Sequence, residues 1–276
     1  MSQPAGAGTL SRVGALNALP KVNMLWIGDT LARIEQLSIA SWLAHGHEVR
    51  LHAYGQVAGV DSRVELADAN AILSHDAVMR LRHRSKGSFA LASDYFRYRL
   101  QIAGAGLWSD SDVVCLKPVG IDGECLYGMQ DAREINGAVL YLHRDLPMLR
   151  ELLGLFRDNA IPPWVPADIQ RKLRFRRWFG LNVTPGHMPW GSYGPLALTE
   201  LAHKYGLFGL AQPQDVFYPL HCNSAHRLYD PMASLDEILT PRSLTLHLWN
   251  EMLRDLRQTQ PPDGSPLAEL GKRFGG

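Results

Sequence analysis

The sequence predicts an α/β fold with a central, mostly parallel sheet flanked by helices. Residues 22–27 form a short apolar run that stops at Gly28, which is typical of a buried strand. Residues 31–45 carry apolar side chains at helical spacing, and residues 49–54 alternate in the way a strand does. A strand, a helix and a strand within about 30 residues indicate a βαβ unit, whose two strands are parallel.

The ends of this first helix have their own signals. Asp29 or Thr30 is predicted to cap its start, because their side chains accept hydrogen bonds from the free N–H groups there. The helix should end near His45 and Gly46, since glycine readily adopts the left-handed exit conformation. Residues 67–83 are predicted to be a loop with short helical pieces.

A second long helix is predicted over residues 88–103. Its apolar stripe consists of Phe89, Phe96, Leu100 and Ala103. Asp94, Arg97 and Gln101 lie well away from that stripe. Asp94 and Arg97 could form an exposed ion pair worth about 0.2–0.5 kcal/mol. They could also serve a site, because this helix leads directly into the most informative motif of the chain.

Composition and charge narrow the classes of protein. The chain has 276 residues, of which 46% are hydrophobic and 20% charged, as in a globular protein with a sizeable core. The net charge of +1 gives no general attraction to nucleic acid. Three cysteines without metal-ligand spacing suggest a reducing compartment. Without a signal peptide or a run of about 18 apolar residues, we expect a cytoplasmic protein.

The motif is Ser-Asp-Ser-Asp-Val-Val at residues 109–114. In an extended segment Asp110 and Asp112 point the same way, and two such carboxylates repel each other unless a cation lies beside them. Mg²⁺ or Mn²⁺ suits the pair, because hard ions bind carboxylates together with substrate phosphates. Surface turns produce the same pattern. It also fits the nucleophile motif of haloacid dehalogenase-type phosphohydrolases, in which Asp110 would be phosphorylated.

The motif is flanked by further recognisable segments. In order, the chain contains Leu-Trp-Ile-Gly at 25–28, Ser-Asp-Tyr-Phe-Arg at 93–97 and Ala-Gly-Leu-Trp-Ser-Asp-Ser-Asp at 105–112. Segments at 136–140, 190–195 and 247–251 follow. Over roughly residues 22–255 the chain resembles the GT-A glycosyltransferases with a DXD sugar-binding region. These are family 32-like enzymes of capsule and lipopolysaccharide synthesis, related to α-1,4-galactosyltransferases, yeast mannosyltransferases and glucosylating clostridial toxins. Ala105 and Trp108 replace the family's usual Gly and Tyr.

The resemblance implies a GT-A catalytic domain over residues 21–256. Its nucleotide-sugar half would cover about 21–120 and its acceptor half about 121–256. Residues 1–20 would be a disordered arm and residues 257–276 a C-terminal tail.

The resemblance also assigns roles on the donor side. Trp26, beside Gly28, would stack on the base, and Trp108 would lie at the ribose. A strand tryptophan such as Trp26 is equally expected to be a core residue. Asp94 and Arg97 would contact the donor sugar.

On the metal and acceptor side, Asp110 would bind the ribose or a metal-bound water and Asp112 the Mn²⁺ or Mg²⁺ ion. In the last segment, the His247 imidazole and the Asn250 amide would bind the metal or the β-phosphate, and Trp249 would contact the donor. Asn136 would lie near the anomeric carbon, and Gly194 and Pro195 beside the acceptor. A histidine followed by an aromatic residue is often structural. Asn136, Gly194 and Pro195 could equally be ordinary strand-end and turn residues.

Residues 171–179 carry five positive charges in seven positions, with aromatic side chains among them. Arg174, Arg176, Arg177 and Trp178 could contact an anionic membrane or a lipid diphosphate acceptor. The alternative is a solvated helix face. Nucleic acid is not expected, because the chain has no wider basic field.

The predicted function is transfer of a hexose from a nucleotide diphosphate sugar, with UDP the expected nucleotide, to a carbohydrate or lipid-linked acceptor. The resemblance implies retention of the anomeric configuration. The basic stretch at 171–179 would place a cytoplasmic enzyme at the inner face of the membrane. Two alternatives remain open: the phosphohydrolase using Asp110, and a catalytically inactive module that binds sugar nucleotides.

Overall fold

The computed structural model describes residues 18–82, 87–256 and 258–275, so most of the predicted N-terminal arm lies outside the described residues. The strands of this part of the chain are β1 Val22–Trp26, β2 Val49–Ala53, β3 Glu65–Asp68, β4 Leu107–Ser109, β5 Val113–Cys115, β6 Cys125–Met129, β7 Ile135–Leu142 and β8 Thr245–His247. The helices are α1 Arg33–Ala44, α2 His75–Arg80, α3 Ala90–Ile102, α4 Pro147–Gly154, α5 Ala167–Trp178, α6 Pro195–Lys204, α7 Gln214–Phe217, α8 Leu235–Ile238 and α9 Pro266–Phe274.

Six of the strands form the central sheet, in the order β3-β2-β1-β4-β7-β6. Strands β3, β2, β1 and β4 run parallel to one another, while β7 is antiparallel to both β4 and β6. Helices flank this sheet, and apolar side chains from α3, α4 and α6 pack together in one large core cluster. The predicted α/β class and mostly parallel sheet are therefore confirmed, including the βαβ unit β1-α1-β2.

Two local predictions need correction. The N-cap of α1 is Ala32 rather than Asp29 or Thr30. Thr30 instead forms an isolated bridge with Ala58, and the carboxylate of Glu35 accepts a hydrogen bond from the Ala32 N–H at 3.1 Å. The predicted loop over 67–83 begins inside strand β3, a short edge strand whose exposed side chains gave no apolar signal.

A second, two-stranded sheet is formed by β5 and β8, which are antiparallel. Helix α1 holds β5 against it through polar side chains: Ser38 Oγ and Trp42 Nε1 both donate to the Val113 carbonyl, at 2.7 and 3.0 Å. Ser41 Oγ accepts from the Cys115 N–H at 2.8 Å. These bonds position the short segment between β4 and β5, which carries the Asp-x-Asp motif.

The predicted C-terminal tail contains α9, which packs against α1. Leu267 and Leu270 of α9 are buried in the same apolar cluster as Ile34 and Leu37 of α1. Among the described residues, none of the helices has the length and apolar character needed to cross a bilayer.

Candidate functional site

The Asp-x-Asp motif lies in a tight turn between the two sheets, because β4 ends at Ser109 and β5 begins at Val113. The Asp110 N–H donates to the Ala138 carbonyl of β7 at 2.7 Å, and the Val113 N–H donates back to the Asp110 carbonyl at 3.2 Å. Both ends of the turn are thus held by backbone hydrogen bonds. The Asp110 and Asp112 carboxylates are consequently kept at the carboxyl end of strand β4, inside the strand order of the central sheet.

Strand β8 brings His247 to this turn. In the β5–β8 ladder Val113 is paired with His247, and the Leu248 N–H donates to the Asp112 carbonyl at 2.8 Å. His247 Nε2 lies 3.2 Å from Asp112 Oδ1. Asp110, Asp112 and His247 each offer one ligand atom, and these atoms lie within 4.8 Å of one another.

The residues after His247 close over the motif. Trp249 has a φ of +57°, a left-handed conformation that is rare for a bulky side chain and occurs mostly where function or surrounding contacts demand it. Its ring lies 3.9 Å from the His247 ring, centroid to centroid. The Asn250 N–H donates to Asp112 Oδ2 at 2.8 Å, and Asn250 Nδ2 donates to Glu35 Oε1 at 2.8 Å.

Helix α3 contributes Arg97, which is not the surface residue that the helix pattern alone allowed. Arg97 is 7% exposed. Its Nη2 lies 3.0 Å from Asp110 Oδ1 and 3.5 Å from Asp94 Oδ1, and its Nη1 donates to the Gly137 carbonyl at 2.5 Å. Gln101, on the same side of α3, is also buried. The polar side of α3 therefore faces the end of the sheet rather than solvent.

Asp94 lies against the beginning of α6, whose N-cap is Gly194 and whose first residue is Pro195. A Cβ atom on Gly194 would come within 2.9 Å of both Asp94 carboxylate oxygens. The Asp94 side chain is 16% exposed. Burial raises its pKa to about 7, opposed by the positive charge of Arg97 and assisted by the negative charge of Asp110.

The two motif carboxylates differ in their electrostatic surroundings. Burial raises the pKa of Asp110 above its ordinary value, although the Arg97 charge opposes the shift. Burial acts in the same direction on Asp112, but the charge and hydrogen bond of His247 and the Asn250 N–H outweigh it, so the pKa of Asp112 is lowered. Asp112 is consequently the carboxylate that stays ionised most readily.

These groups surround a cavity of about 480 Å³. The predicted site residues that line it are Asp94, Arg97, Asp110, Asp112, Asn136, Gly194, Pro195, His247, Trp249 and Asn250. Residues as distant in sequence as Asp94 and Asn250 therefore meet in one cleft.

The described cavity lining does not include Trp26, Gly28 or Trp108. Trp26 is partly buried at the end of β1, and a Cβ atom on Gly28 would approach its Nε1 to 3.1 Å. Trp108 is only 1% exposed, so its ring cannot reach a ribose without rearrangement. Its Nε1 instead donates to Asp110 Oδ1 at 2.8 Å, and we assign it to orienting that carboxylate.

Asn136 connects the cavity to a polar chain that sequence patterns did not predict. Its Oδ1 accepts from the Ala138 N–H at 2.7 Å, and its Nδ2 donates to Gln130 Oε1 at 2.9 Å. Gln130 Nε2 then donates to Glu134 Oε2 at 2.7 Å. Burial raises the pKa of Glu134, with help from the nearby charge of Asp131. Gln130 and Glu134 line the cavity as well.

Other contributors to the site were also missed. Glu35 of α1 holds Asn250, Trp190 lines the cavity, and the Tyr218 hydroxyl accepts from the Val139 N–H at 2.9 Å. Glu35 and Tyr218 lie outside the recognised segments, and Trp190 begins one of them but was given no role. Only spatial proximity reveals them.

The basic stretch lies elsewhere. Arg174, Arg177 and Trp178 of α5 are exposed and Arg176 is partly so, and the cavity lining does not include any of them. Arg174 donates to Gln170 Oε1 at 2.8 Å, and Arg176 Nε donates to the Asn182 carbonyl at 3.0 Å. The structure therefore separates this stretch from the predicted site residues that line the cavity.

The cluster of Asp110, Asp112 and His247 fits a divalent metal ion. Two carboxylate oxygens and an imidazole nitrogen form a donor set that can hold a divalent cation. In addition, Asn250 Oδ1 and His247 Nδ1 are buried and have no hydrogen-bond partner among the described residues. Buried polar atoms without partners are costly, and a bound ion with its waters would relieve that cost.

Comparison with known proteins adds no assignment. No family model matches the chain, and no curated protein matches it significantly.

Proposed function

We propose that the chain is a metal-dependent, retaining glycosyltransferase of the GT-A type. It moves a hexose from a nucleotide diphosphate sugar, with UDP the expected nucleotide, to a carbohydrate or lipid-linked carbohydrate acceptor. The resemblance of the motifs suggests surface polysaccharide synthesis, with the enzyme working in the cytoplasm.

The observation that carries the proposal is the meeting of Asp110, Asp112 and His247 beside Arg97 in one cavity. The two carboxylates and the imidazole offer a cation site. The buried guanidinium beside them can donate hydrogen bonds to a phosphate or a hydroxyl group. The cavity of about 480 Å³ has the size of a small-molecule site. Such a combination suits a sugar linked to a diphosphate.

Asp110, Asp112 and His247 would hold the metal, and the side-chain oxygen Oδ1 of Asn250 is a further candidate ligand. When bound, the ion would neutralise the diphosphate and stabilise the charge that builds on the departing nucleotide.

The side chains of the chain itself would bind and orient the donor. Arg97 is already placed beside two carboxylates and can donate from its guanidinium to sugar oxygens. Asp94, at the start of α6, can accept hydrogen bonds from sugar hydroxyls. In the transfer, an acceptor oxygen bonds to the anomeric carbon as the carbon–oxygen bond to the β-phosphate breaks. The acceptor's proton leaves with the nucleoside diphosphate or to water.

The test is a thermal-shift panel of UDP- and GDP-sugars with and without Mn²⁺, followed by donor hydrolysis assays. A ligand that binds only the folded protein raises the stability by about 2.7 kcal/mol at a hundredfold excess over Kd. Asp112→Asn should abolish the Mn²⁺-dependent shift and most hydrolysis. It should still fold, because the asparagine carbonyl can accept from the Asn250 N–H.

A matched control is Asp122→Asn, which removes the same charge from an exposed loop position. It should behave as the unchanged protein. Full hydrolysis in excess EDTA, or by Asp112→Asn, would refute the metal-dependent mechanism. Donor binding without hydrolysis or transfer would favour the inactive binding module, and a fluoride-trapped phosphate on Asp110 would favour the phosphohydrolase.

A further inference from the structure

Helix α5 carries an exposed face that no contact within the described residues explains. Phe175, Trp178 and Phe179 touch one another there, with ring centroids 4.7 to 5.9 Å apart. Trp178 is 77% exposed, and the two phenylalanines are more than half exposed. Large exposed aromatic clusters are uncommon on monomeric proteins and mark binding surfaces.

Helix geometry places cations around these rings. At about 100° per residue, the three aromatic side chains lie opposite Leu173, which is the buried contact of α5. Arg171 and Lys172 project on the aromatic side. We call Arg171, Lys172, Phe175, Trp178 and Phe179 the basic-aromatic face. Arg177 projects on the Leu173 side of the helix.

Charge restricts the partner of the basic-aromatic face. Helix α5 carries five cations and a single carboxylate, Asp168. A second copy of the same face would bring like charges together, so a symmetric contact between two such faces is disfavoured. Nucleic acid is disfavoured by the net charge of +1 over the chain. Aromatic rings between arginine and lysine side chains match the interface of an anionic bilayer, where rings sit among headgroups and cations meet lipid phosphates.

We propose that the basic-aromatic face docks the protein on an anionic lipid bilayer. The chain after α5 leads back to the cavity, since Pro185, Met188 and Trp190 line it. If the proposed glycosyl transfer holds, docking would therefore bring the rim of the cavity close to lipid-linked acceptors. The docking itself does not depend on that chemistry.

The experiment is sedimentation of the full chain with vesicles, without donor or metal. One set contains phosphatidylglycerol and phosphatidylcholine in equal parts, and the other contains phosphatidylcholine only. We expect binding to the anionic set, loss of that binding as salt rises, and little binding to the neutral set. Equal binding to both sets, or no binding at low salt, would overturn the proposal.

Two substitutions of equal charge test the orientation. Each cation near an anionic surface strengthens binding by about fivefold, and the effect falls off over about 10 Å. Arg171→Ser should therefore weaken vesicle binding several-fold, and Arg177→Ser, on the other side of the helix, should weaken it less. Equal losses would show attraction by net charge without docking through this face, and would refute the proposal.

A third variant tests the aromatic part. Phe175→Ser with Phe179→Ser should reduce binding several-fold with no change in charge, because the apolar area that the two rings insert is lost. Circular dichroism and thermal unfolding serve as folding controls. Donor hydrolysis is measured on the same samples and should be unchanged, because α5 does not contribute to the described cavity lining. If the unchanged protein hydrolyses the donor but does not bind anionic vesicles, the docking proposal is refuted and the proposed transfer is not. If it binds the vesicles but does not hydrolyse the donor, the proposed transfer is refuted and the docking is not.

Discussion

Replacement of Asp94 by asparagine should make the protein more stable at neutral and higher pH. The pKa of this carboxyl rises from 3.8 to about 7, chiefly because the group is buried. The folded state therefore keeps a proton that the unfolded state has already lost. Stability contributed by Asp94 accordingly falls as the pH rises from about 4 to about 7 and is constant above that range.

The magnitude follows from the size of the shift. One pKa unit corresponds to about 1.4 kcal/mol, so ionised Asp94 costs the folded state about 4 kcal/mol above pH 7. Part of this cost is already present at pH 5, which leaves a change of about 3 kcal/mol between pH 5 and pH 8. An asparagine side chain does not ionise, so Asp94→Asn should lack this change.

Urea unfolding followed by circular dichroism, in EDTA, measures the effect at several pH values. The difference between Asp94→Asn and the unchanged protein should grow by about 3 kcal/mol from pH 5 to pH 8. Asp122→Asn is the exposed control and should show no such growth. Stability curves that run parallel for Asp94→Asn and the unchanged protein would show that Asp94 is not held protonated by its surroundings.

Three further substitutions test individual contacts. Gly194→Ala places a Cβ atom within 2.9 Å of the Asp94 carboxylate and should cost about 1–3 kcal/mol of unfolding free energy. Gly120→Ala, with open space around it, is the control and should cost no such energy. Equal unfolding curves for the two variants would contradict the close approach. Trp108→Phe removes a hydrogen bond to a carboxylate and should cost about 1.5–3 kcal/mol and weaken Mn²⁺ binding in calorimetry; unchanged Mn²⁺ affinity would deny it an orienting role. Trp26→Ala should weaken nucleotide binding by about 1–3 kcal/mol if its ring stacks on the base, and unchanged calorimetric affinity would leave Trp26 a packing residue.

The predictions that succeeded rest on local patterns. The strand–helix–strand unit at the N-terminus and helix α3 were predicted because apolar spacing over ten or more residues reports the buried side directly. Short elements were not predicted, because they offer too few residues for such spacing to be recognised. Strand β3 has four residues, is largely exposed and lies at the sheet edge, so its pairing with β2 leaves little trace in hydrophobicity.

The site shows a different limit. An apolar stripe indicated which side of α3 is buried, but not that the opposite side is buried too. Arg97 is accommodated there because two carboxylates and the Gly137 carbonyl satisfy its guanidinium, and these partners come from distant segments. The contact of His247 with Asp112 likewise depends on the register of β5 with β8, a non-local pairing that no sequence window contains.

That short ladder has a consequence for how the domain opens. The three candidate metal ligands come from the turn before β5 and from β8, so they are together only while β8 remains paired. Local detachment of β8 and an intact cation site are therefore mutually exclusive states of the chain. An ion in the site should slow hydrogen exchange of the Val114 and Leu246 amides, which are paired across the ladder, far more than that of β2. The C-terminal strand would then act as a latch whose release frees the ion.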